Sequence, residues 1–354
     1  MRFIHIADVH LGAIPDSNMP WAKDRQKEIW ESFKNIISIC NNENIDLLLI
    51  AGDLFHKQPL IRELKEVNYY FSTLEKTHVV IMAGNHDYIG ARSNYPGFEW
   101  DKRVYIFLKD EVEAVEISDI NTVVYGFSYL TRDIFEPKYD NIRPLQNESV
   151  SILLAHGGDE KNVPLNRRKL QNLGFDYIAL GHIHKPEIIS NNMAYSGSLE
   201  PLDKNEIGQR GYIIGEISED KKKLVKFSFV SSSYREYKKL VITVDLDTTN
   251  GELIKSIKDG IDEEGKQHIY QIYIEGFRDE HIYFDKEAIY SLGNIYDVID
   301  ESVPDYDFDA LYRDSSDDII GLFIKQIREG SKQDEVTKKA LYYGIEALLG
   351  ARKL

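Results

Sequence analysis

Short apolar runs and longer segments with helical spacing alternate along the first part of the chain. Runs of this length bounded by turn residues are typical of buried strands. The apolar spacing between the first three runs predicts a helix from Asp24, the expected N-cap, to about Asn42, and a second helix after Pro59. This β-α-β-α-β order predicts a parallel sheet with right-handed crossovers. Five of the runs end in a turn that carries Asp, Asn or His, and they cover residues 3–7, 47–51, 79–82, 152–155 and 177–180.

The pattern changes to many short strands after about residue 100. Together with the first sheet, these strands predict a two-sheet sandwich with helices outside, so the predicted fold class is α/β, or α+β over the whole chain. A serine cluster near residue 231 marks a boundary, after which strands and helices alternate again. We therefore expect a first domain over 1–235, a small α+β domain over 236–330 and a C-terminal helix over 331–354.

Bulk composition is that of a globular protein, with 42% hydrophobic and 29% charged residues in 354. No apolar run is long enough to span a bilayer, and the N-terminus reads as a strand and not as a signal peptide. A cytoplasmic location without membrane attachment is therefore expected. The single cysteine, Cys40, lies on the apolar face of the first predicted helix, so a core position is expected for it.

The net charge of −16 is unevenly distributed. From Leu240 onward the chain carries 13 basic and 25 acidic residues, which leaves only −4 for the preceding part. The acidity of the C-terminal part opposes non-specific binding to nucleic acid there, because such binding depends on neutralising phosphates. Two divalent cations would bring the N-terminal part to about zero, so an anionic substrate is compatible with that part.

Chemistry-bearing residues are concentrated in the five turns that follow the apolar runs. The motif Gly84-Asn85-His86-Asp87 alone fits an ordinary polar loop. However, six of the ten histidines lie in or beside these turns, and chance does not explain that concentration. Strand ends of an open α/β sheet share one rim, so the turns are expected to form one site. The six histidines are His10, His56, His86, His156, His182 and His184.

Carboxylate, amide and imidazole side chains in this number suit a pair of divalent ions. Two ions about 3.5–4 Å apart can clamp a phosphate and stabilise the departing oxygen, and a carboxylate is the natural bridge between them. Asp53 is the candidate bridge. The absence of thiolate favours Mn, Fe or Zn over Mg alone. The remaining ligands are expected to divide into one set of Asp8, His10 and His184, and another of Asn85, His156 and His182.

These motifs carry a family resemblance over about the first 200 residues. The set Asp8-x-His10, Gly52-Asp53, Gly84-Asn85-His86-Asp87, His156 and Gly181-His182-x-His184 resembles that of the calcineurin-like metallophosphoesterases. Four longer stretches, residues 8–12, 52–56, 181–186 and 195–199, look more specifically like those of the SbcD-type DNA double-strand-break repair nucleases. The later motif Gly208-x-Arg210-Gly211-Tyr212 also fits these nucleases. Protein phosphatases of the superfamily usually carry Asp three residues after the bridging Asp. This chain has His56 at that position, and the nucleases also carry His there.

The resemblance implies a four-layer β-sandwich flanked by helices and an Mn-dependent phosphodiesterase acting on DNA. The expected activity is a 3′–5′ exonuclease, with endonuclease activity as a further expectation. His86, with His56 beside it, would act on the leaving oxygen as a catalytic residue. The resemblance also implies a capping domain that contacts DNA, a C-terminal segment that binds an SMC-like ATPase, and a homodimer.

Several alternatives stay open at this point. An enzyme of the same fold could act on a small or cyclic nucleotide, and a non-catalytic protein could bind DNA ends or an ATPase as a scaffold. The presence of every expected ligand argues against a relic site. Asp87 has two alternative roles, since it could orient His86 or tie down the loop.

Overall fold

The computed structural model describes residues 1–145, 149–218, 225–330 and 334–352. The chain forms two compact units, Met1–Tyr237 and Lys238–Leu354, and each is described by itself. Within the described residues, every helix is too short or too polar to cross a membrane.

The N-terminal unit contains twelve strands and three α-helices within its described residues. Its helices are α1 (Ala22–Asn42), α2 (Ile61–Ser72) and α3 (Arg167–Gln171). Its strands are β1 (Arg2–Ile6), β2 (Leu47–Ala51), β3 (His78–Met82), β4 (Val104–Ile106), β5 (Glu113–Ile117), β6 (Thr122–Gly126), β7 (Val150–His156), β8 (Tyr177–Gly181), β9 (Glu187–Ser190), β10 (Met193–Tyr195), β11 (Gly211–Ile217) and β12 (Val225–Ser231).

The strands form two six-stranded mixed sheets. The first has the order β12-β11-β1-β2-β3-β4, and the second has the order β5-β6-β7-β8-β10-β9. Strands β1 to β4 are parallel to one another, whereas β11 runs antiparallel to β1. In the second sheet β6, β7 and β8 are parallel. The parallel start predicted from the β-α-β-α-β pattern is confirmed, and so is the two-sheet arrangement.

Alternate residues of each central strand serve two different cores, which is why these strands are apolar throughout. On β2, Leu48 and Ile50 pack in the core that contains residues of α1 and α2. Leu47 and Leu49 pack in a second core that includes Ile152 of β7 and so joins the two sheets. A third core contains the opposite faces of β7 and β8 together with residues of α3. The result is the predicted layered sandwich flanked by helices.

Helix α1 begins earlier than the sequence suggests. Ala22 is its first residue, and Trp21, the residue before it, makes no side-chain cap. The expected N-cap role of Asp24 is therefore wrong, and this residue lies in the first turn, where its negative charge suits the helix dipole. Cys40 is fully buried on the apolar face of α1, as predicted.

The C-terminal unit combines a small sheet with helices, as an α+β domain does. Its elements are β13 (Tyr237–Val244), α4 (Asn250–Glu264), β14 (Ile269–Arg278), α5 (Lys286–Tyr290), β15 (Ile295–Asp300), β16 (Val303–Pro304), α6 (Phe308–Asp314), α7 (Ile319–Gly330) and α8 (Glu335–Arg352). Strands β14 and β15 are parallel, and residues of α4 and α5 pack with this sheet in one core. Residues of α6, α7 and α8 form a second, smaller core. The predicted C-terminal segment 331–354 is described over 334–352.

Candidate metal centre

Five strand ends bring the predicted site residues together. The loops after β1 and β2 run side by side, because the backbone N–H of Asp8 donates to Gly52 O at 3.1 Å and that of His10 donates to Asp53 O at 3.0 Å. The loops after β3, β7 and β8 supply the other residues. Parallel strands place their carboxyl ends at one edge, so the fold itself assembles the site.

Four of the predicted ligands have an unusual backbone conformation. The φ angles of Asp8, His10, Asp53 and His182 are 51°, 52°, 52° and 92°, which lie in a region that L-residues rarely adopt. Such strain persists only where surrounding structure enforces it, and it is common at functional sites. Here it follows from sharp turns directly after the strands.

Two glycines allow these loops to approach closely. A Cβ atom on Gly84 would overlap the carboxylate of Asp53, and one on Gly52 would overlap the His156 ring. Gly52 also has a φ of +89°, which favours glycine. Gly52 therefore leaves space for the His156 ring and Gly84 leaves space for the Asp53 carboxylate, and each glycine directly precedes a predicted ligand.

The first predicted ligand set forms one cluster. Ligand atoms of Asp8, His10 and His184 all lie within 4.8 Å of one another. The Nε2 atoms of His10 and His184 are 3.2 Å apart, and His184 Nε2 lies 3.9 Å from Asp8 Oδ1. The backbone N–H of His182 donates to both Asp8 carboxylate oxygens, at 3.1 and 2.9 Å, which fixes the orientation of this acid.

The second predicted set gathers around the side-chain oxygen of Asn85. His156 Nε2 lies 2.9 Å from Asn85 Oδ1, and His182 Nδ1 lies 3.2 Å from the same atom. The opposite nitrogen of His156, Nδ1, lies 2.8 Å from Ala51 O and donates its hydrogen there. The second set therefore gathers around a different atom from the first, which is consistent with ligands for two ions.

Asp53 lies between the two sets. Its Oδ2 atom is 3.8 Å from His10 Nε2 and 3.5 Å from His156 Nε2. Its other oxygen, Oδ1, accepts a 2.8 Å hydrogen bond from the backbone N–H of His86. One carboxylate oxygen therefore faces both sets while the second anchors the loop after β3, which is the arrangement that a bridging ligand needs.

The donor set fits divalent cations. Asp8 and Asp53 are almost completely buried. Among the residues that the structure describes, their ion-pair partners are all histidines. Two buried carboxylates surrounded by imidazole nitrogens, with nitrogen facing nitrogen at His10 and His184, are costly without a cation. Oxygen and imidazole donors without sulfur suit Mn, Fe or Zn.

Electrostatic shifts in the site reflect this crowding of charge. Burial alone would raise the pKa of Asp53, but the neighbouring His156 and His10 outweigh burial and lower it. Burial would lower the pKa of His156, and the Asp53 carboxylate instead raises it to about 9. The buried carboxylate thus attracts positive charge, which a metal ion would supply.

His86 and His56 lie at the open side of the site. Their rings stack with centroids 5.3 Å apart, and the His86 ring centroid is 4.7 Å from that of His10. His86 Nδ1 lies 3.2 Å from His56 O, to which it donates when protonated. One nitrogen atom from each of His10, His56 and His86 also falls within 4.8 Å of the others. Both predicted catalytic histidines are therefore next to the ligand clusters and reachable from solvent.

Asp87 fastens the loop. Its carboxylate accepts hydrogen bonds from Gly84 N at 2.8 Å, Phe55 N at 3.2 Å and the Tyr95 hydroxyl at 2.8 Å. Of the two roles left open by the sequence, the structure favours tying down the loop, since the His86 ring instead contacts the main chain of His56.

Two carboxylates beside the site were missed by sequence reasoning. Asp159 Oδ2 lies 2.6 Å from His182 Nε2, and Glu206 Oε1 lies 2.6 Å from His184 Nδ1. Neither residue follows a strand directly. The only signal near them is the Gly208-x-Arg210 motif, two residues after Glu206.

Comparison with known proteins agrees with this geometry. A family model described as calcineurin-like phosphoesterase matches residues 1–186. The DNA double-strand break repair protein Mre11 of Methanocaldococcus jannaschii is 32% identical over 225 residues, which cover 58% of each chain. One of the subunits of the nuclease SbcCD from Staphylococcus epidermidis is 28% identical over 254 residues, 61% of this chain and 66% of the relative. An uncharacterised metallophosphoesterase, YhaO of Bacillus subtilis, is 28% identical over 235 residues, 60% of this chain and 57% of the relative.

The matches therefore span less than two thirds of the length of these relatives. The family match, in contrast, covers more than half of this chain and includes all seven predicted ligands and both histidines that are predicted to be catalytic. With two mixed sheets flanked by helices and a cluster of buried Asp and His donors, the chain belongs to the calcineurin-like metallophosphoesterases.

Proposed function

We propose that the N-terminal unit is a metal-dependent nuclease that hydrolyses phosphodiester bonds of DNA, as a 3′–5′ exonuclease and also as an endonuclease. The observation that carries this proposal is the meeting of two ligand sets around one buried carboxylate, Asp53. DNA as substrate is supported by relatives that are named as part of a nuclease and as a DNA double-strand break repair protein.

The proposed cofactor is a pair of divalent ions, with Mn favoured and Fe or Zn also suited to the donors. Asp8, His10 and His184 would hold one ion, Asn85, His156 and His182 the other, and Asp53 both. When bound, such a pair supplies positive charge against the phosphate and lowers the pKa of water. The chain's own part is to hold the donors rigidly, and the buried hydrogen bonds of Asp8 and His156 do this.

His86 is the proposed proton donor. Its Nδ1–H can donate to His56 O, so Nε2 is the nitrogen left to exchange a proton with the leaving oxygen of a substrate. His56, stacked on His86, would support its orientation and contribute to binding the phosphate. Burial, and next the neighbouring His86, lower the pKa of His56.

The test is hydrolysis of end-labelled linear double-stranded DNA in Mn buffer, beside bis-nitrophenyl phosphate as a small ester. We expect mononucleotide release by the wild-type chain and its loss in His86→Ala, with metal content retained. His281→Ala is the matched control, because His281 is an exposed histidine outside the site. Its activity should equal that of the wild type.

Other outcomes separate the alternatives. Cleavage of the small ester with DNA untouched would favour a phosphodiesterase for small or cyclic nucleotides. Binding of DNA and metal without any hydrolysis would favour a scaffold. Loss of metal together with activity in His86→Ala would make His86 a ligand, an assignment that its proximity to His10 and His56 also permits.

For the C-terminal unit we propose two roles. The sheet-containing part would cap the nuclease domain, and the segment 331–354 would dock an SMC-like ATPase, since one relative is named as a subunit of a nuclease. Exposed apolar side chains on α8 support a docking role for this segment, among them Val336 at 76% and Tyr343 at 65% exposure. Co-purification of the chain with the ATPase, and its loss in the Tyr343→Asp variant, would support this role. A homodimer is a further proposal, and light scattering of the purified chain tests it.

A further inference from the structure

Each histidine that follows a second-sheet strand has a separate hydrogen-bond acceptor on the side of its ring away from the ligand cluster. For His156 this acceptor is a main-chain oxygen, Ala51 O. For His182 and His184 it is a side-chain carboxylate, Asp159 and Glu206 respectively, at 2.6 Å in both cases. No motif places these two acids in the metal site.

We propose that Asp159 and Glu206 are positioning residues that fix the tautomers of His182 and His184, one for each metal ion. The proposal rests on the metal centre proposed above. It extends that centre by two residues that do not contact the ions and that set which ring nitrogen is available to them.

The two ring nitrogens of a histidine differ in their hydrogen-bonding roles. A neutral imidazole carries one N–H donor and one acceptor nitrogen, and an ionised carboxylate only accepts. The nitrogens that face the acids, His182 Nε2 and His184 Nδ1, must therefore carry the hydrogens. This leaves a lone pair on His182 Nδ1, toward Asn85, and on His184 Nε2, toward His10. These are the nitrogens that face the two ligand clusters.

Asp159 is held in place independently of the histidine. Its Oδ1 atom accepts from the backbone N–H groups of Lys161 at 2.8 Å and Asn162 at 2.9 Å. These bonds fix the carboxylate on its own loop and direct Oδ2 at His182. The acceptor is thus preorganised before any ion binds.

Glu206 is anchored in a similar way by a different part of the chain. Its Oε2 atom accepts from the backbone N–H of Leu202 at 3.0 Å and lies 3.7 Å from Arg210 Nε. Arg210 is buried, and its Nη1 donates to Gln209 O at 2.9 Å. The Gly208-x-Arg210 motif therefore has a physical role, since it places a buried cation beside the acid that orients His184.

Amide substitutions separate a positioning role of Asp159 and Glu206 from a purely structural role, because the two roles predict different effects on the histidine tautomers. In Asp159→Asn, the side-chain oxygen can keep the bonds from Lys161 and Asn162, which leaves an NH₂ group facing His182 Nε2. That group donates, so the ring hydrogen must move to Nδ1 and block the metal-binding nitrogen. Glu206→Gln has the same effect on His184, because its oxygen is needed by Leu202 N–H.

The experiment has two readouts on the full chain. The first is the histidine tautomer in metal-free protein, from ¹⁵N chemical shifts of the ring nitrogens. We expect Nε2–H for His182 and Nδ1–H for His184 in the wild type, each reversed in its own amide variant. The second is Mn²⁺ affinity by calorimetry, where each variant should bind one ion about 10–100-fold more weakly.

Glu187→Gln is the matched control. It removes an equal charge three residues after His184, but Glu187 pairs with Arg167 at 2.8 Å and not with a ligand. Its Mn²⁺ affinity and its tautomers should equal those of the wild type. An equal loss of affinity in this control would assign the effect to charge alone and overturn the positioning role.

Different results would overturn the metal-dependent function and the positioning role of the two acids. If the wild-type chain binds no Mn²⁺, Fe²⁺ or Zn²⁺, the proposed function fails, while the metal-free tautomers still decide the positioning role. If the wild type binds two ions and both amide variants bind them equally well with unchanged tautomers, the positioning role is wrong. Opposite tautomers in the wild type would overturn it without any variant.

Discussion

The backbone N–H of His86 donates a 2.8 Å hydrogen bond to Oδ1 of Asp53. This bond joins the loop after β3 to the acid that stands between the two ligand sets. It also leaves Asp53 Oδ2 as the oxygen that faces His10 and His156. The proposed catalytic residue and the proposed bridge are thereby held in a fixed relation by the main chain.

Asp53→Ala should remove both ions, because its carboxylate is the one donor shared by the two sets. Metal content after gel filtration in Mn buffer, measured by mass spectrometry, should fall from two ions per chain to nearly none. Asp46→Ala is the control, since Asp46 precedes the same strand at its other end and pairs with Lys76. A full metal complement in Asp53→Ala would refute the bridging role.

Gly84→Ala should damage the site through packing alone. The added methyl group would overlap the Asp53 carboxylate, so either the loop or the acid must move. Overpacking of this kind typically costs about 1–3 kcal/mol of unfolding free energy, and Mn²⁺ binding should weaken with it. Gly97→Ala is the control, because a Cβ atom there meets nothing within 4 Å. Urea unfolding of metal-free protein measures the cost, and equal stability of the two variants would contradict the prediction.

Glu200→Ala should destabilise the N-terminal unit more than any surface acid does. Glu200 is buried, lies 3.4 Å from the buried guanidinium of Arg25 and accepts from Ser32 Oγ at 2.6 Å. Removing one member of a buried ion pair costs about 3–5 kcal/mol, whereas an exposed pair contributes about 0–1 kcal/mol. Glu187→Ala, which breaks the exposed pair with Arg167, is the matched comparison. Similar urea midpoints for the two variants would show that the Arg25 network contributes little.

Cys40 should resist alkylation in the native protein. Burial raises the pKa of its thiol to about 12, so almost no thiolate exists at pH 8, and the side chain is also inaccessible. Iodoacetamide should label it only after denaturant unfolds the chain, as mass spectrometry can follow. Labelling of the native chain at the rate of a free thiol would mean that α1 opens frequently.

The sequence predicted which Asp, Asn and His residues lie together, because most of them lie directly after buried strands. Asp53 and His156, for example, end apolar runs whose parallel pairing brings their turns to one edge of the sandwich. That inference needs only strand order and turn position, and both can be read locally. The assignment of individual ligands to ions stays a prediction.

The parts that sequence reasoning missed depend on distant contacts. Glu206 reaches His184 because a loop folds back over the strand end, and no local pattern signals this. The role of Asp87 was ambiguous for the same reason, since its partner Tyr95 comes eight residues later and is oriented by the core. The start of α1 was misplaced because Asp24 has the composition of a cap, while the chain turns helical two residues earlier.

The most direct test of the central claim is the anomalous difference density of Mn-soaked crystals, collected at the manganese edge. Our account predicts two peaks, one among Asp8, His10 and His184 and the other among Asn85, His156 and His182, with Asp53 contacting both. A single peak, or peaks that lie away from Asp53, would contradict the two-ion centre on which the proposed nuclease activity depends.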